Sequence, residues 1–273
     1  MMSQITRLFT PFLIILLSSV NFSCEEVVKL NLNNAEPVLV IEGLIIDGPG
    51  PYTVSLTKTT DFYEPNEYPT VSNAIVTISD DAGNSETLQE IEPGLYETST
   101  IAGISGRTYS LTVSTEGVEY TAVSTMPEPL VPDSVGYKFT EFFGIDGYEI
   151  ICYFQDRENI NDYCRLKFRL NDHPVEEYFL YEDRLTDGEP IDYGIWLDDV
   201  NINDEVVIVF YTFESPMYEY YASLSPVVVY SNHEGDGSSD TMSQPGNPIS
   251  NITGGALGYF GAVTKQRFII TIQ

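Results

Sequence analysis

From residue 37 onward, apolar and polar side chains alternate in short runs divided by turn residues. Tyr109, Leu111 and Val113 fall on one side of Thr108–Thr115, and Ser110, Thr112 and Ser114 on the other. A period of two is the repeat of a half-buried strand, whose successive side chains point to opposite faces. Tyr52–Thr60 alternates likewise, and Pro37–Ile46, Ala74–Ser79, Thr87–Ile91, Gly94–Thr98 and Val118–Thr125 are further candidate strands. Turns such as Asp47-Gly48-Pro49-Gly50-Pro51 and Asp80-Asp81-Ala82-Gly83-Asn84 separate the runs. With 19 Tyr, 14 Phe, 20 Gly and 16 Pro, the composition favours pleated surfaces and tight turns over helices. These seven short strands predict an immunoglobulin-like β-sandwich over residues 37–125. The Cys…Trp…Cys spacing of immunoglobulin domains proper is absent, so the expectation concerns architecture alone.

Met126-Pro127-Glu128-Pro129-Leu130-Val131-Pro132 cannot join a ladder at its prolines, so residues 126–134 read as a Pro-rich linker. Residues 135–273 are expected to form a second antiparallel β domain. Its strands lie at Tyr137–Phe143, Tyr148–Phe154, Tyr163–Leu170, Val175–Tyr181, Ile191–Leu197, Val206–Phe213, Ala256–Val263 and Arg267–Ile272. Ser215-Pro216, followed by Met217, Tyr220, Tyr221 and Leu224, predicts one short helix packed on the sheet. Ser231–Asn251 reads as a polar loop. By parity Ile150, Cys152 and Phe154 share a face, as do Cys164, Leu166, Phe168 and Leu170, with Arg165, Lys167 and Arg169 opposite. Joined as a hairpin across Asp156–Asp162, these strands set Cys152 opposite Cys164. Either a disulfide or a pair of buried small hydrophobes is consistent with that arrangement.

The N-terminus reads as an address. Arg7 precedes the apolar run Leu8–Leu17, which is too short to span a bilayer as a helix. Ser18 and Ser19 follow, then Asn21-Phe22-Ser23-Cys24, so residues 1–23 are expected to be a lipoprotein signal peptide and Cys24 the acylated residue. Asn21 stands where such signals usually carry Leu. A palmitoyl-type chain holds a protein to a membrane by burying methylenes, at ~0.8 kcal/mol each. Glu25 and Glu26 begin a tether over residues 24–36, and in Bacteroidota-type lipoproteins, which this start resembles, acids at that place accompany export to the cell surface.

Charge excludes one class of partner. The chain has 41 acidic residues against 12 Lys and Arg, a formal charge of −29, so electrostatic capture of nucleic acid or of an anionic leaflet, both of which need clustered cations, is not expected. Two His and three Cys leave little for a zinc centre or a histidine-based nucleophile. His173 precedes Pro174 in a turn, His233 lies in the polar loop, and no Gly-x-Ser-x-Gly elbow occurs. Asp236 and Asp240, and separately Asp198–Glu205, are oxygen-rich enough to be calcium candidates but match no EF-hand spacing. No cofactor is expected. Gly254-Gly255-Ala256-Leu257-Gly258 lacks the Lys-Ser/Thr of a P-loop and is expected to bend the chain into a last hairpin. Tyr178, Tyr181, Tyr211 and Tyr218 are candidate binding aromatics, able to stack on sugars or line an interface, or else simply to cover a sheet. Ser134 and Thr241 stand in Asp-Ser/Thr-apolar tripeptides resembling Bacteroidota O-glycosylation sites, whereas the sequon Asn251-Ile252-Thr253 carries no information in a bacterial lipoprotein.

Several fragments, in this order, resemble the lipoprotein family catalogued as domain of unknown function 4249. They are Cys24-Glu25-Glu26, Pro37–Gly43, Pro93-Gly94-Leu95-Tyr96, Gly106–Leu111, Met126-Pro127 and Ser250–Phe260. The resemblance implies an envelope lipoprotein, often encoded beside a TonB-dependent receptor, and brings no catalytic residues with it. The expectation is a non-enzymatic, surface-facing outer-membrane lipoprotein that binds a glycan or peptide ligand or serves a TonB-dependent transporter. An independent adhesin or glycan-binding module is the alternative, and a hydrolase the third reading.

Overall fold

Tyr109, Leu111 and Val113 are almost wholly buried, and this parity extends through the chain. The computed structural model describes residues 36–60, 68–142, 145–176, 179–183, 188–197, 199–232 and 247–273. The first strands are β1 (Leu39–Ile46), β2 (Gly48–Pro49), β3 (Thr53–Lys58), β4 (Ile75–Asp80) and β5 (Ser85–Thr87). They are followed by β6 (Gln89–Glu92), β7 (Leu95–Glu97), β8 (Ala102–Gly103), β9 (Thr108–Thr115) and β10 (Val118–Thr125). One sheet runs β10-β9-β4-β5, and the opposing layer runs β1-β3-β7-β6. Ile41, Val54, Leu56, Val76, Ile78, Tyr96 and Leu111 fill the space between them. Each such side chain contributes roughly 1.5–3 kcal/mol when fully buried. The molecule is mainly β and its first part is a sandwich, as the alternation predicts.

The second part comprises β11 (Ser134–Phe142), β12 (Ile145–Gln155), β13 (Tyr163–Leu170), β14 (His173–Pro174), β15 (Phe179–Glu182), β16 (Pro190–Leu197) and β17 (Glu205–Phe213). A helix, α1 (Ser215–Asn232), and a long strand, β18 (Leu257–Thr271), complete it. The expected faces are present: Ile150, Cys152, Phe154, Cys164, Leu166 and Phe168 all lie in a second core. Their expected pairing is not. β12 pairs with β11 and β16, while β13 pairs with β14, β15 and β17, so no β12–β13 hairpin exists. Cys152 and Cys164 therefore belong to different sheets, and both are buried free thiols rather than a disulfide. Parity is a local property, whereas the partner of a strand is chosen by whichever apolar face completes the core.

β18 also departs from expectation. It is one continuous strand where two were predicted, and no hairpin forms at Gly254–Gly258. Residues 257–263 pair in parallel with β1, and residues 264–271 pair antiparallel with β17. A nine-stranded sheet thus runs past the proline segment and backs both sandwiches. Phe260 and Ala262, expected in a separate domain 135–273, pack into the first core instead. Phe268, Ile270 and Ile272 pack into the second. The proline segment is held at both ends, by Met126 N–H donating to Arg107 O and Met126 O accepting from Gly106 N–H, and by Leu130 N–H donating to Thr212 Oγ1 at 3.0 Å. Gly258 allows the parallel contact, because its φ is +88° and a Cβ there would lie 2.1 Å from the Ile41 carbonyl oxygen.

Candidate functional site

Odd-numbered residues of β18 face away from both cores, and this outer face carries two grooves. Tyr259 and Val263 pack under α1 with Phe213 and Met217. A Cβ on Gly261 would lie 2.7 Å from the Met217 sulfur, so the glycine lets the helix settle directly on the strand. On one side of the helix a cavity of about 600 Å³ is lined by Leu44, Ile46, Met217, Tyr220, Tyr221 and Tyr259. Tyr220 packs at a tilt against Tyr259, with ring centroids 4.9 Å apart, and against Tyr221 at 5.6 Å. The buried Tyr259 hydroxyl has no hydrogen-bond partner among the described residues. Burial, then the nearby Glu214 carboxylate and Tyr221, raise its pKa above the ordinary tyrosine value. Aromatic walls with a few convergent polar groups suit a ligand that has one apolar face.

On the other side of the helix the same sheet face is cationic. Arg165, Tyr211 and Lys265 lie side by side on β13, β17 and β18. Lys167, Val209 and Arg267 form the next row, and Arg169 and Val207 begin a third. The resulting trough has a volume of about 550 Å³, with Asp172 and Glu176 also on its wall. Five of the chain's 12 Lys and Arg thus share one face. The Lys167 and Lys265 ammonium groups lie 5.7 and 5.9 Å from the Tyr211 ring centroid. Lys167 leaves much of its surface in solvent, yet desolvation of its ammonium, then the neighbouring Arg165 cation, lower its pKa; Glu176 opposes them and Lys265 adds a smaller lowering.

Of the residues expected to form a site, Tyr211 is in the floor of this trough. Tyr218 packs on Tyr163 at 5.4 Å beneath the helix. Tyr181 is a correction. It is buried in the second core against Phe154 and Tyr193, because the parity of β15 turns it inward. Ser134 is exposed at the start of β11, an edge strand. Cys24, Tyr178, Asp236, Asp240 and Thr241 lie outside the described residues. Burial pushes the Cys152 thiol up to about 12 and raises Cys164 well above its ordinary value, which keeps both protonated and poorly nucleophilic. Asp204 accepts from the Asn171 amide and the Asn201 N–H, both at 2.7 Å, so the Asp198–Glu205 acids include one that serves its own turn.

The fragments of the resemblance prove to be fasteners of the fold. Tyr96 Oη accepts from Ala74 N–H at 2.9 Å and donates to Val71 O at 3.2 Å. Tyr109 Oη accepts from Ile104 N–H at 2.8 Å and donates to Ala102 O at 2.9 Å. Asn251 donates through Nδ2 to Phe260 O at 2.7 Å and accepts at Oδ1 from Phe260 N–H at 3.1 Å. Its side chain therefore stands in for a neighbouring strand beside β18. Thr253 Oγ1 accepts from Thr121 N–H at 2.9 Å. These positions hold backbone polar groups that burial would otherwise leave unpaired.

The chain matches the model of the family described as Domain of unknown function (DUF4249) over residues 25–269. It belongs to that family. No curated protein matches it. The DUF4249 match begins at the residue after Cys24 and takes in both sandwiches and nearly all of β18. Sequence reasoning did not find Tyr259 or the joining of the Arg165-Lys167-Arg169 row with Lys265 and Arg267. The odd-parity cations of 265 and 267 were the available signal, but nothing local fixes which strand lies beside them.

Proposed function

We propose that this protein is a non-enzymatic lipoprotein, anchored in the outer membrane through Cys24 and facing the cell exterior, that binds or presents a ligand as an accessory of a TonB-dependent transporter. The observation that carries the reading is the junction at Cys24. A short basic-then-apolar leader ends in Ser23-Cys24, and the family match starts directly after it, at residue 25. The leader and the family module thus meet at the one cysteine whose acylation would tether everything beyond it. The groove beside α1 supplies the ligand site in this reading. Mass spectrometry of protein recovered from its own membranes is expected to find a diacyl or triacyl Cys24 as the first residue. Cys24→Ala should release the chain into the soluble fraction. Co-purification should bring down a receptor barrel with the anchored protein, and its absence from an intact anchored preparation would count against the accessory role.

The groove lends support to a second reading, an independent glycan-binding module. Packed tyrosines beside a cavity of about 600 Å³ match the dimensions of a small saccharide site. Glycan-array binding reduced at least tenfold by Tyr220→Ala, in membranes lacking any receptor barrel, would favour it.

A further inference from the structure

We infer that the trough on β13, β17 and β18 binds an acidic glycan, a chain of sugar rings bearing sulfate, phosphate or carboxylate groups. The inference rests on reading the protein as a ligand-binding one, but not on its anchoring or its transporter. In a chain of formal charge −29, five cations on one face of three adjacent strands are a local inversion of sign. Gathering them works against folding, since like charges on neighbouring positions repel. The Lys167 pKa is lowered first by desolvation and then by the neighbouring Arg165 cation. Arg169 lies 3.6 Å from the Asp172 carboxylate.

Geometry narrows the ligand. Arg165, Lys167 and Arg169 form one rail and Lys265 and Arg267 the other, with β17 between them. Two strand spacings set the rails about 10 Å apart, and same-face residues along each rail repeat about every 6.6 Å. The floor is Val207, Val209 and Tyr211, which is apolar and carries one aromatic ring. A pyranose chain has flat C–H faces for such a floor and anionic substituents at its edges for the rails. A single inorganic anion reaches only one or two of the five cations. A flat leaflet meets projecting cations better than a trough, and duplex nucleic acid would bring its phosphates against a surface that is otherwise strongly acidic. At physiological ionic strength, charges beyond roughly 8 Å are largely screened, and the two carboxylates on the trough wall, Asp172 and Glu176, are outnumbered by its five cations.

The test uses the intact purified protein and calorimetric titration at physiological salt with sulfated dextran oligosaccharide, neutral dextran of equal length, inorganic sulfate, poly-glutamate and phosphatidylglycerol vesicles. Saturable binding of the sulfated oligosaccharide is expected, at least 100-fold tighter than sulfate and with none to neutral dextran. Lys167→Gln combined with Arg267→Gln, one from each rail, should weaken it at least tenfold, and Tyr211→Ala should weaken the oligosaccharide more than free sulfate. The exposed Lys167 and Arg267 changes should leave the thermal midpoint in place; if the double variant unfolds, Lys265→Gln alone carries the test. Equal binding of neutral dextran, or indifference to these variants, overturns the inference. Tighter binding of poly-glutamate or of vesicles overturns it too, assigning the trough to an acidic protein or to lipid. In each case an acylated, membrane-recovered protein would leave the broader proposal standing.

Discussion

The two sandwiches share a back sheet but hold their polar groups in opposite ways. In the first, Glu86 accepts from Ser99 N–H and Oγ at 2.6 Å, and from the N–H groups of Thr100 and Ile101 at 2.9 Å. Burial alone would raise its pKa, but the Ser99 hydroxyl and the three backbone donors outweigh it and bring the group down to about 2. In the second, Asp156 is nearly inaccessible. Burial raises its pKa, the Gly188 N–H lowers it, and the Asp183 and Asp162 carboxylates raise it further. One sandwich is fastened by a satisfied charge, and the other tolerates a crowded one. The same fold principle therefore gives the two halves opposite responses to acid.

The largest expected effect tests whether the halves are independent at all. Gly258→Ala forces a side chain into the Ile41 carbonyl at a positive φ and should cost about 3 kcal/mol or more. Phe260→Ala empties a fully buried position of the first core and should cost ~3–5 kcal/mol. Because β18 serves both cores, each variant should lower a single cooperative transition seen by circular dichroism. Two separate transitions, with only the first moved, would show that the sandwiches unfold apart. Cys164→Ser, at a wholly buried site in the second core, should follow at about 1–3 kcal/mol, since a hydroxyl there needs a partner; no loss in urea unfolding would mean that the site is wetter than its burial indicates.

Smaller effects separate the halves by pH. Glu86→Gln should cost about 1–2 kcal/mol after allowance for solvent screening. Because its folded pKa is depressed from 4.5 to about 2, that stabilisation is present above the ordinary glutamate value and disappears as pH falls through about 2. Asp156→Asn should act in the other direction, adding up to about 1 kcal/mol at neutral pH. A raised folded pKa means that the contribution of Asp156 is fully present below the ordinary value of 3.8 and lost as pH rises through the folded value. Chemical denaturation of both variants between neutral and acid pH would reveal crossing curves; parallel curves would refute the contrast.

Strand positions were legible because parity is written locally: Thr108–Thr115, Val118–Thr125 and Tyr163–Leu170 occur as the alternation predicts. Pairing was not, since Cys152 and Cys164 have matching apolar faces whether their strands adjoin or oppose each other across a core. The helix start at Ser215 was readable from Ser215-Pro216. Asn251 looked like a sequon because its work, bridging Phe260, appears only once β18 is in place. The site was half legible. Arg165, Lys167 and Arg169 could be seen to point away from the core, but Lys265 and Arg267 join them only through the register of β17.

The placement of β18 also sets an order of events. Val40 waits for Leu257, and Val206 for Ile270, so neither hydrophobic interior can close while the ribosome still holds the late part of the chain. Contacts this distant in sequence form slowly, which leaves both interiors open until the closing strand arrives.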